Sequence, residues 1–579
     1  MKIVCLVKQV PRADSIEFDP ETKSLKREGV PLLLNPFDAE AVARADQLRE
    51  QVGGEVIAMT MGPPQAESAL RACLALGADR CILLSDRVFA VADTIGTSRT
   101  LALAIEKEGD VDLVLCGRKT TDSETWQVPP EVAAFLERPH LTSISELELH
   151  GERIHATRET DDGYETYELD GPAVISVAYA REATDESDGR IDTWTAADLV
   201  GDVQPDDKRF GQTGSPTRVL AVRDVTPERK GELFDNAADA ARRLGELLDE
   251  RPRDPASWDK PDHIGERPGK SYDCWTFVES AGGSPTRASL ELLGKGRELA
   301  GSLGGKNVAL VLGSSLDPVA REVARHGAER VVMVDDERLA AYHPELWSRV
   351  LRDVVAAKRP HVLLLPASSV GRDVGPRVAG ELELGMTGDC VGLGIGRAGR
   401  LVQTKPAYGG NIVSVIMGAT TPQLATVRPR MFQPLDPRDV KAEVERIDAG
   451  VLPEPRLALV ARNGTGARDL DAADVVVCIG PELDEIPAVP DGLAIGGTRE
   501  ICERGLLARN RQIGLYGRAV APRLLVAVGV PGDFEQLTGF VKADVVAAIN
   551  AVDAPMRHAA DVALTGDWRA LLPDLLEAR

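Results

Sequence analysis

Placed on itself at an offset of about 250 residues, this 579-residue chain matches in order, the mark of a duplicated unit. GGEVIAMTMG (53–62) faces GGKNVALVLG (304–313), and LGADRCILLSD (76–86) faces HGAERVVMVDD (326–336). DLVLCG (112–117) meets VLLLPA (362–367), and QVPPEVAAFLE (127–137) meets DVGPRVAGELE (373–383). Any two buried strands would share the hydrophobic positions. The repeated GGxV, GA(D/E)R and xPxVA elements go beyond that, so whatever the first half folds into, the second folds into again.

Each half is built of short Val/Ile/Leu runs, such as KIVCLV (2–7) and RCILLS (80–85), separated by helical-period stretches such as 36–52 and 65–76. Runs apolar on both faces belong to parallel strands covered by helices on two sides, which predicts a doubly wound α/β fold. The spacing divides the chain into an α/β domain over 1–200, a polar, Pro-rich linker over 201–270, a second α/β domain over 271–435, a short linker over 436–456 and a last α/β unit over 457–579. Within the first linker, 236–250 carries an Ala/Leu helical pattern.

With 68 Lys and Arg against 91 Asp and Glu, the net charge of −23 repels a polyanion, and nucleic acid is excluded as a partner. The eight cysteines show no CxxC spacing and the eight histidines no HExxH, which supports no metal site and fits buried free thiols in a reducing cytoplasm. No run of about 18 apolar residues marks a membrane span, and the charged, strand-like start does not read as a signal peptide.

Three places could carry chemistry. A GxGxxG match at Gly394, Gly396 and Gly399 is followed by LVQT and not by a helix, so it reads as a β-turn and not as a dinucleotide fingerprint. Residues 117–130, GRKTTDSETWQVPP, follow a strand and enter a helix, where open α/β sheets bind ligands; Asp122 and Thr125 are candidate ribose or phosphate contacts, with helix N-capping as the equal alternative. In the last unit, IGGTRE (495–500), RQIGLYG (511–517) and VGVPGDFEQLTG (528–539) bring glycines after strands, with Arg499 as a charge for a phosphorylated or planar cofactor and Asn550 ending a further strand. No acid/base dyad or activated nucleophile accompanies them, so hydrolysis is unsupported.

These residues resemble the electron transfer flavoproteins, with the beta and alpha subunits fused and the beta-like half first. The beta resemblance rests on VKQVPRADS (7–15), FDPETKSLKREGVPLLLNPFDAEAV (18–42), MGPPQAESALRACLALGADR (61–80) and the 117–130 loop. The alpha resemblance rests on SLELLGKGRELA (289–300), GRDVGPRVAGEL (371–382), TGDCVGL (387–393), QTKPAYGGNIVSVI (403–416) and PQLATVRPRMF (422–432). The resemblance implies two related domains of the adenine nucleotide alpha hydrolase-like type and a C-terminal FAD-binding domain. It also implies an electron carrier, not a hydrolase or transferase, that passes electrons from dehydrogenases to an acceptor such as a quinone oxidoreductase.

By the same resemblance, FAD contacts fall on Thr498, Arg499, Ile513, Gly514, Leu515, Tyr516, Gly532, Asp533, Phe534, Glu535, Gln536, Asn550, Asp567 and Trp568. An AMP or second FAD in the first domain would meet Asn35, Gly117, Asp122, Thr125, Gln127 and Val128. The chain departs from the family pattern where Leu515 and Tyr516 replace a Gln-Thr pair, Pro531 a serine, and Glu535 with Gln536 a Gln-His pair. The Gly-Arg-Gly phosphate loop is cut to IGPELDEIPAVP (479–490), Trp126 and Pro129 replace small residues, and the partner-gripping loop is reduced to 180–191. The departures motivate a second reading, a flavin-poor nucleotide-binding or scaffold protein of the same fold, and the family includes a third, an NADH-dependent bifurcating flavoprotein. With both halves in one chain, a monomer is expected.

Overall fold

The computed structural model describes the chain apart from residues 20–23, 27–28, 152, 265–271, 465–468 and 578–579, so parts of the quoted 18–42 segment and the end of the first linker lie outside the described residues. The duplication is visible strand by strand. In the first half, parallel strands lie in the order Ile191–Trp194, Arg80–Leu84, Glu55–Met61, Lys2–Leu6, Leu113–Gly117, Ala173–Val177 and His140–His150. In the second half the order is Glu443–Arg446, Arg330–Asp335, Asn307–Gly313, Cys274–Val278, Val362–Pro366, Gln423–Val427 and Met386–Cys390. GGEVIAMTMG and GGKNVALVLG therefore occupy the same place in both sheets. Each sheet is packed on both faces, the first around Ile3, Cys5 and Leu115 on one side and Val4, Ile57 and Val114 on the other.

The last sheet is also parallel, ordered Glu232–Phe234, Val562–Thr565, Val545–Asn550, Leu524–Val528, Val475–Ile479 and Ala494–Gly497. Its chain order reverses between Val475–Ile479 and Leu524–Val528, which places a switch point at Gly480 and Gly529, the location where open sheets take ligands. A fourth, antiparallel sheet joins Thr217–Asp224, Ile412–Gly418, Leu401–Ala407 and Gly392–Ile395. Gly394 lies in its last hairpin and Gly396 N donates to the Arg400 carbonyl at 2.9 Å, so the GxGxxG stretch is a turn, as its sequence context indicated.

Two boundaries differ from the sequence reading. The 201–270 stretch is more than a tether: its strand Glu232–Phe234 edges the last sheet, and its helix Ala237–Glu250, capped by Asn236, buries Ala240, Ala241 and Leu244 in the core of the last domain. Conversely, Leu457–Gly464 does not join the last sheet but pairs antiparallel with Gly163–Leu169 as the outer strand of the first. In both cases the apolar positions are legible in the sequence; the partner they cover is set by chain reversals that local patterning does not encode.

Candidate functional site

Where the three domains meet, a polar cleft opens between the loop 118–126 of the first domain, residues 367–372, 389 and 428 of the second, and residues 509–519 of the last. Arg118, buried, forms an ion pair with Glu159 at 3.2 Å and donates to the Tyr516 carbonyl at 2.9 Å, stitching the first domain to the last. On the second domain, Asp389 receives Arg428 at 2.5 Å and Arg372 at 2.6 Å. Burial opposes the Asp389 charge, but the two guanidiniums hold its carboxyl well below the usual carboxylate range. Lys119 pairs with Glu124 at 3.0 Å, and Lys405 donates to the Glu124 carbonyl at 2.9 Å. Burial pushes Lys405 down to about 8 against the pull of Asp389 and Glu124. Trp126 sits among these cations with a left-handed φ of 62°, the Arg372 guanidinium 4.2 Å and that of Arg118 5.1 Å from its ring.

The residues expected to hold a nucleotide in the first domain are tied into the protein itself. Asn35 donates to the Lys119 carbonyl and accepts from Thr121 N, Gly117 N donates to Asp38, and Asp122 pairs with Lys8 at 2.5 Å. Gln127 donates to Thr94, Glu131 and the Met386 carbonyl and accepts from Gly388 N, so its amide joins the two related domains. Thr125 is packed with its carbonyl against Gly388, and Val128 opens the helix Val128–Phe135. That helix is N-capped by Gln127 without a side-chain bond, so neither Asp122 nor Thr125 plays the capping role left open by the sequence.

In the last domain the predicted contacts divide. Gly514, Leu515 and Tyr516 line the three-domain cleft; the remainder lie at the carboxyl ends of the last sheet or just beyond them. The Tyr516 ring lies 5.9 Å from Phe37 and 5.6 Å from the Arg499 guanidinium, and Arg499 pairs with Glu503 at 2.8 Å. Burial raises the Glu535 carboxyl despite Arg499, and Glu535 hydrogen-bonds Tyr516. Ile513 is core, and Phe534 reaches toward Gly409 of the second domain. Asn550 donates to the Val530 carbonyl at 2.9 Å, Asp567 accepts from Arg569 N, and Trp568 begins the last helix under the Arg569 guanidinium.

With this geometry, the comparisons are decisive about kinship. Residues 22–199 and 274–452 both match the family described as electron transfer flavoprotein domain, and 469–541 match the electron transfer flavoprotein FAD-binding domain. The chain belongs to the electron transfer flavoprotein family. It is 40% identical over 264 residues to an electron transfer flavoprotein subunit beta of Thermoanaerobacterium thermosaccharolyticum, covering 43% of this chain and 99% of that protein. It is 32% identical over 320 residues to a subunit alpha of Clostridium acetobutylicum, covering 52% of this chain and 95% of that protein. A further relative, 40% identical over 244 residues and spanning 40% of this chain and 90% of its own, is the caffeyl-CoA reductase-Etf complex subunit CarD of Acetobacterium woodii. The beta-type relatives match the N-terminal half and the alpha-type the rest, so both subunit types are present in one polypeptide.

FAD is the cofactor of that C-terminal domain family. Around the positions that the resemblance gives to its diphosphate, the backbone donors are engaged within the chain. A Cβ built on Gly480 would lie 2.0 Å from the Gly529 carbonyl oxygen, and one built on Gly529 would lie 2.6 Å from Leu483 and 2.8 Å from Glu482, so neither position has room for a side chain. The amides are already used: Gly480 N donates to Val528, Gly529 N to Ile549, and Gly532 N and Asp533 N both to Gln536 Oε1 at 2.8 and 3.1 Å. Pro531 has no N–H to offer. Thr498 Oγ1, buried with no partner among the described residues, is the one open polar atom of this set.

The cleft cations Arg118, Arg372, Arg428 and Arg518 were not singled out by sequence reading. All but Arg518 lie inside segments whose family resemblance was recognised, but their convergence depends on how the duplicated domains face each other.

Proposed function

We propose that this chain is a single-polypeptide electron carrier of the electron transfer flavoprotein type, taking electrons from a dehydrogenase and delivering them to an acceptor such as a quinone oxidoreductase. The observation that supports this most is completeness: both related α/β domains and the FAD-binding family domain are present, with the same strand order in the two halves and the last domain seated against both. FAD, when bound, supplies the one- and two-electron chemistry such a carrier needs. All eight cysteines are buried and unpaired, which leaves no surface thiol relay to compete with that role.

A second reading, a flavin-poor protein that keeps the scaffold, is favoured by one observation, the Gln536 side chain on the two amides that a diphosphate would use. One experiment separates the two: incubate the purified chain with excess FAD, desalt, record absorption from about 300 to 600 nm and count flavin after heat release. One FAD per chain is expected for the carrier. Colourless protein refutes it and leaves the scaffold reading, while two FAD per chain with bleaching by NADH would make the chain a bifurcating flavoprotein.

A further inference from the structure

Where the first linker crosses the last domain, an open groove of about 390 Å³ lies between linker residues 227–229 and 251–253 and the loop 541–544. No residue given to FAD or to a first-domain nucleotide lines it, so the space is separate from both expected sites. In a chain of net charge −23, this groove is lined by four cations, Arg229, Arg251, Arg253 and Lys542, against two carboxylates, Glu228 and Asp544. Glu228 is exposed and joins no ion pair among the described residues.

Three of the cations are fixed in place. Arg253 is balanced by Asp544, which it meets at 2.5 and 2.7 Å. Arg229 and Arg251 instead share one carboxylate. Arg229 pairs with Asp561 and donates to the Ala543 carbonyl at 2.8 Å, and Arg251 pairs with Asp561 at 3.0 Å and donates to the Asp544 carbonyl. Asp561 also accepts from Val546 N at 2.9 Å, so two guanidiniums rest on one fully engaged carboxylate and a positive charge is left over. Burial lowers the Arg229 guanidinium and Arg251 repels it, against the pull of Asp561. The Arg251 side chain stays 39% exposed, against 8% for Arg229 and 13% for Arg253. Lys542 is a second uncompensated charge: half-buried, it makes no hydrogen bond or ion pair among the described residues. Burial lowers its ammonium, and the charge of Arg428 lowers it further. An anion seated among these groups relieves both repulsions.

We infer that this groove binds a phosphate-type anion, as the free ion or as a phosphomonoester, with Lys542 and Arg251 as its charge contacts. Guanidinium forks held by carboxylates behind them, with an ammonium as a point charge, suit the oxygens of a phosphoryl group. Because the linker supplies two walls and the last domain the third, the bound anion fastens the linker crossing to the loop 541–544.

The test is calorimetric titration of the full chain, its flavin content counted beforehand, with inorganic phosphate and, separately, with glycerol 3-phosphate. One saturable site per chain for at least one probe is expected; tighter binding of phosphate identifies the free ion as the ligand, and tighter binding of glycerol 3-phosphate identifies the ester. Lys542→Gln should weaken binding about ten-fold, and Lys542→Glu should weaken it further. Lys542 has no partner to lose, so both variants keep the fold, which far-UV circular dichroism checks. Amides over 541–545 should exchange more slowly with the bound probe. The inference is overturned if neither probe saturates a site, or if either variant binds as tightly as the parent, which would place the anion elsewhere, an empty flavin site included.

Discussion

Removing the Asp373 carboxylate should separate the two related domains. Arg158 of the first domain is 1% exposed, and Asp373 of the second is fully buried; they meet at 2.7 Å. Asp373 also accepts from Tyr342 at 2.8 Å and from Thr142, whereas the other carboxylate paired with the guanidinium among the described residues, Glu165, stands off at 3.9 Å. In Asp373→Ala the guanidinium stays buried without its close counter-charge, a loss of about 3–5 kcal/mol for breaking a buried pair from one side. Converting both partners, Arg158→Met with Asp373→Leu, removes the charge along with its partner and should return stability to within about 1 kcal/mol of the parent. Urea unfolding followed by tryptophan fluorescence and by far-UV circular dichroism measures both variants. The single variant should show an earlier, broadened transition as the halves unfold apart, and the double variant a restored one. A cost below about 1 kcal/mol for Asp373→Ala would refute the reasoning, because it would show that Glu165 or water already compensates the charge.

Further expectations follow from other buried groups. Burial, with Asp93 adding repulsion, pushes the Glu131 carboxyl up to about 8 while Thr94, Ser98 and Gln127 donate to it. A carboxyl raised in the folded state favours folding fully below its unfolded value and loses that contribution as pH rises from about 4.5 to about 8. Glu131→Gln should therefore flatten the fall in stability over that window, on the order of a few kcal/mol, as read by melting at stepped pH. Gln536→Ala removes half of the capping box with Asp533 and frees the Gly532 and Asp533 amides. It should cost about 0.5–2 kcal/mol in denaturant unfolding and raise retained FAD above the parent's, and unchanged flavin content would show that those amides are not the obstacle. Arg253 binds Asp544 through two contacts, at 2.5 and 2.7 Å, and donates to the carbonyls of Ala521, Pro522 and Arg430. Arg253→Ala should loosen the last domain by about 2–3 kcal/mol, seen as faster hydrogen exchange at 521–545 with the first domain unaffected.

Much of the fold was legible because parallel strands buried on both faces leave continuous apolar runs, as in RCILLS and LLVAVG, and because a duplicated set of them can be aligned without any structure. Helix Ala237–Glu250 was legible as a helix from its Ala/Leu stripe and Asn236 cap. What it packs on was not, because an amphipathic stripe specifies a need for burial and not the surface that meets it. The candidate site shows the same split. Gly514, Leu515 and Tyr516 were legible as part of a glycine-bearing loop, yet the loop's partners Arg118 and Phe37 lie some 400 and 480 residues away in the chain, a separation that local patterning cannot bridge.

Sequence by itself determined the class of the domains, their duplication and their kinship, since these depend on residue periodicity and on ordered short motifs. Tertiary structure alone decided that the Gly532 and Asp533 amides of the last domain are taken by Gln536, and that Arg118, Trp126 and Arg372 come together at one cleft. Hydrogen-bond satisfaction is a property of atoms brought together from distant segments, and the chain order carries no record of which donors will find an acceptor.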